Sequence, residues 1–166
     1  PIMSWGRALP VGMSSTCEWV NIFLRERQDP QKVMEALNQQ LPLGLKFLRF
    51  DYLSMGKKQP QGVQEEYIIR FVSPDGRGLA HRQAMIEALE NMDTVITITG
   101  KKTSRDMSLG QLISSHKPVG KDRMRVIFDW SEYYTNPLKI LQAILPDLEI
   151  QDVSMIKIDQ VLAKGK

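Results

Sequence analysis

Two segments of this 166-residue chain carry the same helix pattern, 107 positions apart (29 to 136). "DPQKVMEAL" (29–37) and "NPLKILQAI" (136–144) align without a gap. Each begins with an Asx–Pro pair, the N-cap and first-turn proline that start helices, and continues with apolar residues at helical spacing. The match predicts two copies of one structural unit. Capping and periodicity alone explain half of the matching positions, so a chance likeness between two amphipathic helices stays open.

The second copy has a complete set of elements. From residue 65 onward the patterns are strand 65–72, helix 79–92, strand 94–100, strand 123–130, the helix after Asn136 and strand 148–162, with one helical turn near 109–113. This is the βαββαβ order of a ferredoxin-like unit. The first helix should bury Leu79, Met85, Ile86 and Leu89.

The first copy has only the later elements of such a unit. The helix after Asp29 lies between strand patterns at 17–26 and 45–53. The 107-residue offset places the start of this unit about 40 residues before Pro1. The punctuated opening of the chain is then the end of a hairpin whose first half is absent.

The fold we expect is therefore α+β, with tandem ferredoxin-like (βαββαβ) units. The first, at 1–58, is N-terminally incomplete, and the second, at 63–166, is complete. An incomplete unit leaves an apolar face and a strand edge open. We expect residues 1–53 to form a homodimer, or a preceding segment to cover this surface.

Composition excludes several classes of protein. Hydrophobic residues make up 42% and charged residues 25% of the chain, which are ordinary globular values. No apolar run is long enough for a membrane span. Cys17 is the single cysteine, so no internal disulfide can form and we expect a reducing, cytoplasmic location.

Positive charge is concentrated in one segment. The net charge is +3, but residues 100–125 hold seven Lys and Arg against two Asp. The candidate nucleic-acid-binding residues are Lys57, Lys58, Lys101, Lys102, Arg105, Lys117 and Lys121. Five of them, from Lys101 to Lys121, fall in one strand connection of a ferredoxin-like unit and should lie close together. Such cations release counterions when they contact phosphates.

Aromatic residues give little support for base stacking. Strand 94–100 has none, and strand 123–130 has Phe128 and Trp130 on one face. RNA-binding sheets stack bases on such residues. The interpretation we favour is that this face packs on helices instead.

The opening "PIMSWGRALPVGMSSTCEWVNIFL" (1–24) resembles an internal segment of the radical-SAM-linked proteins, a family of unknown function. Its members occur free-standing or fused to the C-terminus of cobalamin-binding radical SAM proteins. The matching residues are Ser4, Trp5, Gly6, Ala8, Leu9, Pro10, Val11, Gly12, Glu18 and Trp19. A Pro-capped helix ending in Leu-Pro-x-Gly (29–44) and a basic hairpin leading to Asp106 are similar too. The family's initial strand, arginine-rich helix and aromatic loop are missing here.

The sequence indicates no catalytic centre. A radical SAM iron–sulfur cluster needs three nearby cysteines, which this chain lacks. His81 and His116 have no zinc-ligand spacing and should be solvated, and no phosphate-binding glycine loop or catalytic triad is evident. Asp106 is either a general base or, as we favour, an exposed or turn-capping carboxylate. Four methionines should fill the core, namely Met85, Met92, Met107 and Met124.

Two functions remain. The resemblance implies a radical SAM enzyme as the partner of a non-catalytic accessory module without a cofactor. In the first hypothesis the module binds RNA, such as tRNA, through its basic loops. In the alternative it is a protein-interaction or specificity lobe of the radical SAM partner and binds no nucleic acid.

Overall fold

The computed structural model describes residues 2–53, 62–72, 76–100 and 103–162. In chain order the elements are β1 (Ile2–Trp5), β2 (Met13–Ser15), β3 (Val20–Phe23), α1 (Pro30–Gln40), β4 (Gly62–Phe71), α2 (Arg77–Leu89), β5 (Val95–Thr99), β6 (Ser104–Ser108), α3 (Leu109–Leu112), β7 (Ile113–Val119), β8 (Arg123–Asp129), α4 (Pro137–Ile144), a 3-10 turn (Ile150–Asp152) and β9 (Val153–Leu162). This mixture of helices and strands is an α+β fold, as the sequence predicts.

The chain divides into two compact units. The first contains the described residues 2–6 and 19–53. The second contains residues 7–18 and the described residues from 62 to 162. The segment 7–18, which the sequence places with the first unit, thus packs in the second.

The second unit is built on a five-stranded sheet in the order β2-β9-β4-β8-β7. The pairs β9–β4, β4–β8 and β8–β7 are antiparallel, and β2 runs parallel to β9. Side chains alternate between the two faces of a strand, and Tyr67, Ile69 and Phe71 of β4 are buried. They join the buried side chains of α2 and α4 in one hydrophobic core.

The sequence-based prediction of which strand lies beside β8 was wrong. Residues 95–99 do form a strand, but β5 pairs with β6 in a separate hairpin. The sheet position beside β8 is taken by β7, where we expected a loop. Only Ile113 of β7 is fully buried, because β7 is an edge strand with one neighbour. An edge strand tolerates polar residues and Pro118, so its sequence lacks a strand pattern.

Helix α2 also differs from expectation in one residue. Met85 and Leu89 are buried as predicted, and Ile86 is partly buried. Leu79 is 60% exposed instead. The buried stripe of the helix runs through Gly78, His81, Met85 and Leu89, spaced three or four residues apart. Leu79 lies one residue, about 100°, away from that stripe.

Both Asx–Pro helices begin as predicted. The Asp29 carboxylate accepts a hydrogen bond from the Gln31 backbone N–H at 2.8 Å. The Asn136 amide oxygen accepts one from the Leu138 N–H at 2.9 Å. Each Asx residue therefore satisfies a backbone donor that a helix start leaves without a partner.

The described part of the first unit has few helices and strands and little buried surface. Strands β1 and β3 pair antiparallel, and α1 has no fully buried residue. The strand expected at 45–53 is not formed. In the second unit the corresponding strand, β9, has β4 as its long partner. Within the described residues the first unit offers no counterpart of β4, so backbone groups at 45–53 have no strand to pair with.

Across the described residues, no helix is both long enough and apolar enough to cross a membrane.

Candidate nucleic-acid interface

One face of the second unit's sheet carries most of its exposed cations. In β8, Met124 and Val126 point into the core, while Arg123 and Arg125 alternate with them and are exposed. Opposite residues on neighbouring strands share a face. The cross-strand partner of Arg125 is Lys117 on β7, and that of Arg123 is Arg70 on β4.

The turn between β7 and β8 extends this charge. Lys121 lies in the turn and is exposed. We use the name basic face for Arg70, Lys117, Lys121, Arg123 and Arg125. Helix α2 anchors the turn from the other layer, because the Arg82 Nη2 group donates to the Gly120 carbonyl at 3.1 Å.

Two carboxylates hold the arginines of the basic face in position. Arg70 Nε donates to Asp122 Oδ2 at 2.6 Å, and Arg123 Nε lies 3.6 Å from Asp122 Oδ1. The hydrogen bond from Arg70 lowers the pKa of Asp122 below its ordinary value. Arg125 makes a two-pronged contact with Glu66, which raises the pKa of the guanidinium.

The cations of the basic face are exposed enough to contact a ligand. The Arg70, Arg123 and Arg125 side chains are each half exposed. Lys117 and Lys121 are exposed and form no ion pair with any residue that the structure describes. Three carboxylates act on these five cations, because Asp159 also interacts with Arg125 through its charge. The excess of positive charge gives this surface a field that attracts phosphates.

The predicted site residues are only partly brought together. Lys57, Lys58, Lys101 and Lys102 lie outside the described residues. Lys117 and Lys121 both belong to the basic face. Arg105 does not, because it lies on β6 with its guanidinium 4.6 Å from the centre of the Tyr133 ring. Tyr133 follows the end of β8 and Lys121 precedes its start, and a seven-residue strand is about 20 Å long.

Asp106 is an exposed strand residue. Its Oδ1 accepts a hydrogen bond from the Thr97 hydroxyl at 2.7 Å, across the β5–β6 hairpin. The carboxylate thus stabilises the hairpin and caps no turn.

The aromatic residues lie on the opposite side of the sheet. Phe128 is fully buried and Trp130 is 4% exposed. Their rings stack with centroids 5.3 Å apart, and Tyr67 and Tyr134 meet them edge-on. The expectation was that this face packs on helices, and Phe128 and Trp130 do share one core with apolar residues of α4. The basic face therefore offers phosphate contacts without a platform of these rings for stacking.

The opening of the chain leads from β1 to β2 through a segment with two glycines. Gly6 lies so near the Trp19 indole that a methyl group there would be 2.9 Å from Cε2. Gly12 has φ of +86°, a conformation that favours glycine. Gly12 lies in a turn that is closed by a hydrogen bond from the Met13 N–H to the Pro10 carbonyl at 3.2 Å. Ser4 and Trp5 lie on β1, Ala8 is exposed, and Leu9 is half-buried.

Residues 7–18, which we call the arm, cover a cluster of buried charges. Lys157 on β9 and Glu65 on β4 are 2% and 3% exposed, with 3.5 Å between Nζ and Oε1. Lys157 also pairs with Glu18 at the end of the arm. The Tyr67 hydroxyl donates to Glu65 Oε2 at 3.1 Å. Burial, together with the Glu65 carboxylate, raises the pKa of Tyr67.

Residues 1–145 match a family of uncharacterised proteins conserved in bacteria, DUF2344. The chain belongs to this family. No curated protein and no solved structure matches the chain. The DUF2344 match includes the arm and all five residues of the basic face, and it ends before Lys157.

His81 differs from the solvated state that we expected. It is 5% exposed, and its Nε2 lies 3.2 Å from the exposed Asp147 carboxylate. The hydrogen bond from His81 lowers the pKa of Asp147. His116 is half-buried on β7. The described part of this DUF2344 chain contains no cluster of three or more His, Cys, Asp or Glu that could hold a metal ion.

Sequence reasoning missed the buried charges of this DUF2344 protein. Glu65 and Lys157 each stand at an inward position of a strand whose other inward positions are apolar. That mismatch with the period-two pattern was the available signal. Arg123 and Arg125 fell in the basic segment, and their alternation with Met124 and Val126 indicates a shared outward face.

Proposed function

We propose that this chain is a non-catalytic accessory module that binds single-stranded RNA or tRNA through the basic face and works with a radical SAM enzyme. The radical SAM partner is suggested by the likeness of the opening segment to the radical-SAM-linked proteins. The RNA ligand is suggested by the charge and exposure of the basic face.

A ferredoxin-like plan for the second unit supports this proposal. The four long strands follow the order β9-β4-β8-β7, which is the 4-1-3-2 order of a βαββαβ unit when β7 is taken as its second strand. Helices α2 and α4 then share a core with one face, and the cations of the basic face are exposed on the opposite face. The first unit resembles the later half of the same plan, as β1, β3 and α1 follow the order of β7, β8 and α4.

The observation that carries the proposal is the clustering of five cations on one face of the sheet and its adjoining turn. Three are arginines oriented by ion pairs, and Lys117 and Lys121 are exposed beside them. Phosphate contacts fix the position of a nucleic acid without reading its sequence. We therefore expect binding that depends strongly on charge and weakly on base sequence.

Charge reversal tests the proposal directly. The variant Lys117→Glu/Lys121→Glu should weaken binding of a labelled single-stranded RNA about tenfold or more, measured by fluorescence anisotropy near 0.15 M salt. Lys32→Glu/Lys46→Glu is the matched control, because both lysines are exposed in the first unit and the charge change is identical. Equal affinities of the two variants would contradict an RNA site on the basic face.

A protein-interaction lobe is the second candidate. It is favoured by apolar side chains of the first unit, of which Leu43, Leu45 and Leu48 are all more than half exposed. Exposed apolar clusters mark contact surfaces for other proteins. Pull-downs with and without nuclease separate the two functions. The RNA proposal expects partner recovery to fall with nuclease, whereas a protein-interaction lobe keeps its partner.

A further inference from the structure

Two buried hydrogen-bond donors without acceptors belong to side chains that contact the Tyr134 ring. Arg7 Nη1 and Trp130 Nε1 are both buried, and neither has a hydrogen-bond partner among the described residues. The Arg7 guanidinium carbon lies 4.2 Å from the centre of the Tyr134 ring. The Trp130 ring meets Tyr134 edge-on, with 5.2 Å between centroids. All three residues belong to the second unit.

These groups can only be satisfied by an acceptor. An indole N–H and a guanidinium donate hydrogen bonds and accept none. Buried polar groups in native proteins are nearly always bonded, so a donor left alone calls for an explanation. Here the side chains that carry two such donors contact the same tyrosine ring.

The nearby carboxylates are already engaged. Glu65 receives the Tyr67 hydroxyl on Oε2 and faces Lys157 with Oε1. Glu18 is paired with the same lysine. In the part of the chain that the structure describes, Arg7 forms no ion pair with a carboxylate.

We propose that Arg7 and Trp130 form a subsite for the oxyanion group, phosphate or carboxylate, of a small-molecule ligand. Arg7 supplies the charge and Trp130 a single directed hydrogen bond, and both side chains contact the Tyr134 ring. The ligand reaches the subsite from the Arg7 side, because Arg7 is half-buried on the arm whereas Trp130 is almost fully buried. Charge-assisted hydrogen bonds of this kind are stronger than neutral ones.

The indole N–H of Trp130 reports on this subsite by NMR. The chain has three tryptophans, and Trp130→Phe both assigns the signal and removes the donor while keeping an aromatic ring. Inorganic phosphate and sodium acetate are titrated in separate arms. We expect a saturable shift of the Trp130 signal in at least one arm, with Kd of about 1 mM. The arm that responds identifies the class of oxyanion.

Variants separate this subsite from the basic face. Arg7→Met should weaken the response about tenfold. Arg105→Met is the control and should leave it unchanged, because Arg105 makes the same contact with Tyr133 at an exposed position. Lys117→Glu/Lys121→Glu should also leave the response unchanged. The oxyanion subsite and RNA binding can therefore be contradicted independently of each other. No Trp130 shift at about 50 mM of either anion, or an equal response in Arg7→Met, overturns the proposal.

Discussion

Lys157 is a charged residue in a place that usually holds an apolar one. Its ammonium group lies between Glu65 and Glu18 and is almost completely removed from water. Burying such ions costs several kcal/mol each, and the attraction between them offsets that cost only while both partners are present. The cluster is therefore sensitive to the loss of any one member.

Lys157→Met should destabilise the second unit by about 3–5 kcal/mol, because Glu65 is left as a buried charge without its partner. The double variant Lys157→Met/Glu65→Gln should recover most of that loss, since a neutral amide can still accept the Tyr67 hydroxyl. Urea unfolding of the three proteins measures both effects. A double variant no more stable than Lys157→Met would contradict this account of the cluster.

Asp122 makes part of the protein's stability depend on pH. Its folded-state pKa is lowered by Arg70, so the ion pair stabilises the fold above the unfolded pKa of about 3.9, and this contribution is lost as pH falls through the lowered folded value. Asp122→Asn should thus unfold at lower urea concentration than the parent at pH 7. The two midpoints should converge as the pH falls below the lowered folded-state pKa of Asp122. A difference that persists once Asp122 is protonated in the folded state points to lost packing instead.

Single residues show where sequence reasoning reached its limit. Lys117 and Lys121 were identifiable as exposed cations from a charged, glycine- and proline-containing segment. Arg105 came from the same segment, but it lies on β6 of the β5–β6 hairpin and contacts Tyr133, which follows the end of β8. Proximity along the sequence does not determine which strand edge a side chain reaches.

At the scale of elements, the arm explains the odd opening of the chain. The chain bends at Gly6 and again at Gly12. Residues Met13–Ser15 then pair with β9. A glycine at position 6 is needed because the Trp19 ring occupies the space of a side chain. The family resemblance at these positions thus corresponds to close packing.

Gly6→Ala should destabilise the first unit by about 1–3 kcal/mol, since the Trp19 ring must move to admit a methyl group. Trp19→Leu removes the obstruction. The cost of Gly6→Ala should therefore be clearly smaller in the Trp19→Leu background than in the parent, as a double-mutant cycle by urea unfolding measures. Additive costs would show that the two residues do not interfere.

Elements with strong patterns were predictable and those that depend on neighbours were not. The two Asx–Pro helices, β4, β8 and β9 have clear caps or apolar alternation and lie near their predicted positions. β7 is polar because it is an edge strand, so its role appears only when β8 is beside it. Residues 45–53 have a strand-like composition, but a strand also needs a partner.

At the scale of the whole molecule, we expect the first unit to form the contact between two copies of the chain. Its helix α1 has no fully buried residue, and Phe23, Leu45 and Leu48 are more than half exposed. We expect the chain to form a homodimer through this unit, with twice the monomer mass in multi-angle light scattering. Leu45→Glu/Leu48→Glu should return it to a monomer, because charges cannot be buried in such a contact without partners. A monomeric parent chain at about 0.1 mM would contradict the homodimer.

RNA binding by the basic face is the central claim, and its salt dependence tests it most directly. Each phosphate contact on a single strand changes log K by about 0.7 per tenfold change in salt, so engagement of all five cations gives a slope of about −3.5. Anisotropy titrations of the parent chain between about 0.05 and 0.3 M salt should show this dependence. The Lys117→Glu/Lys121→Glu variant should have a slope shallower by about 1.4 units, while Lys32→Glu/Lys46→Glu keeps the parent slope. Parent binding that does not change with salt, or equal slopes in all three proteins, would contradict the claim.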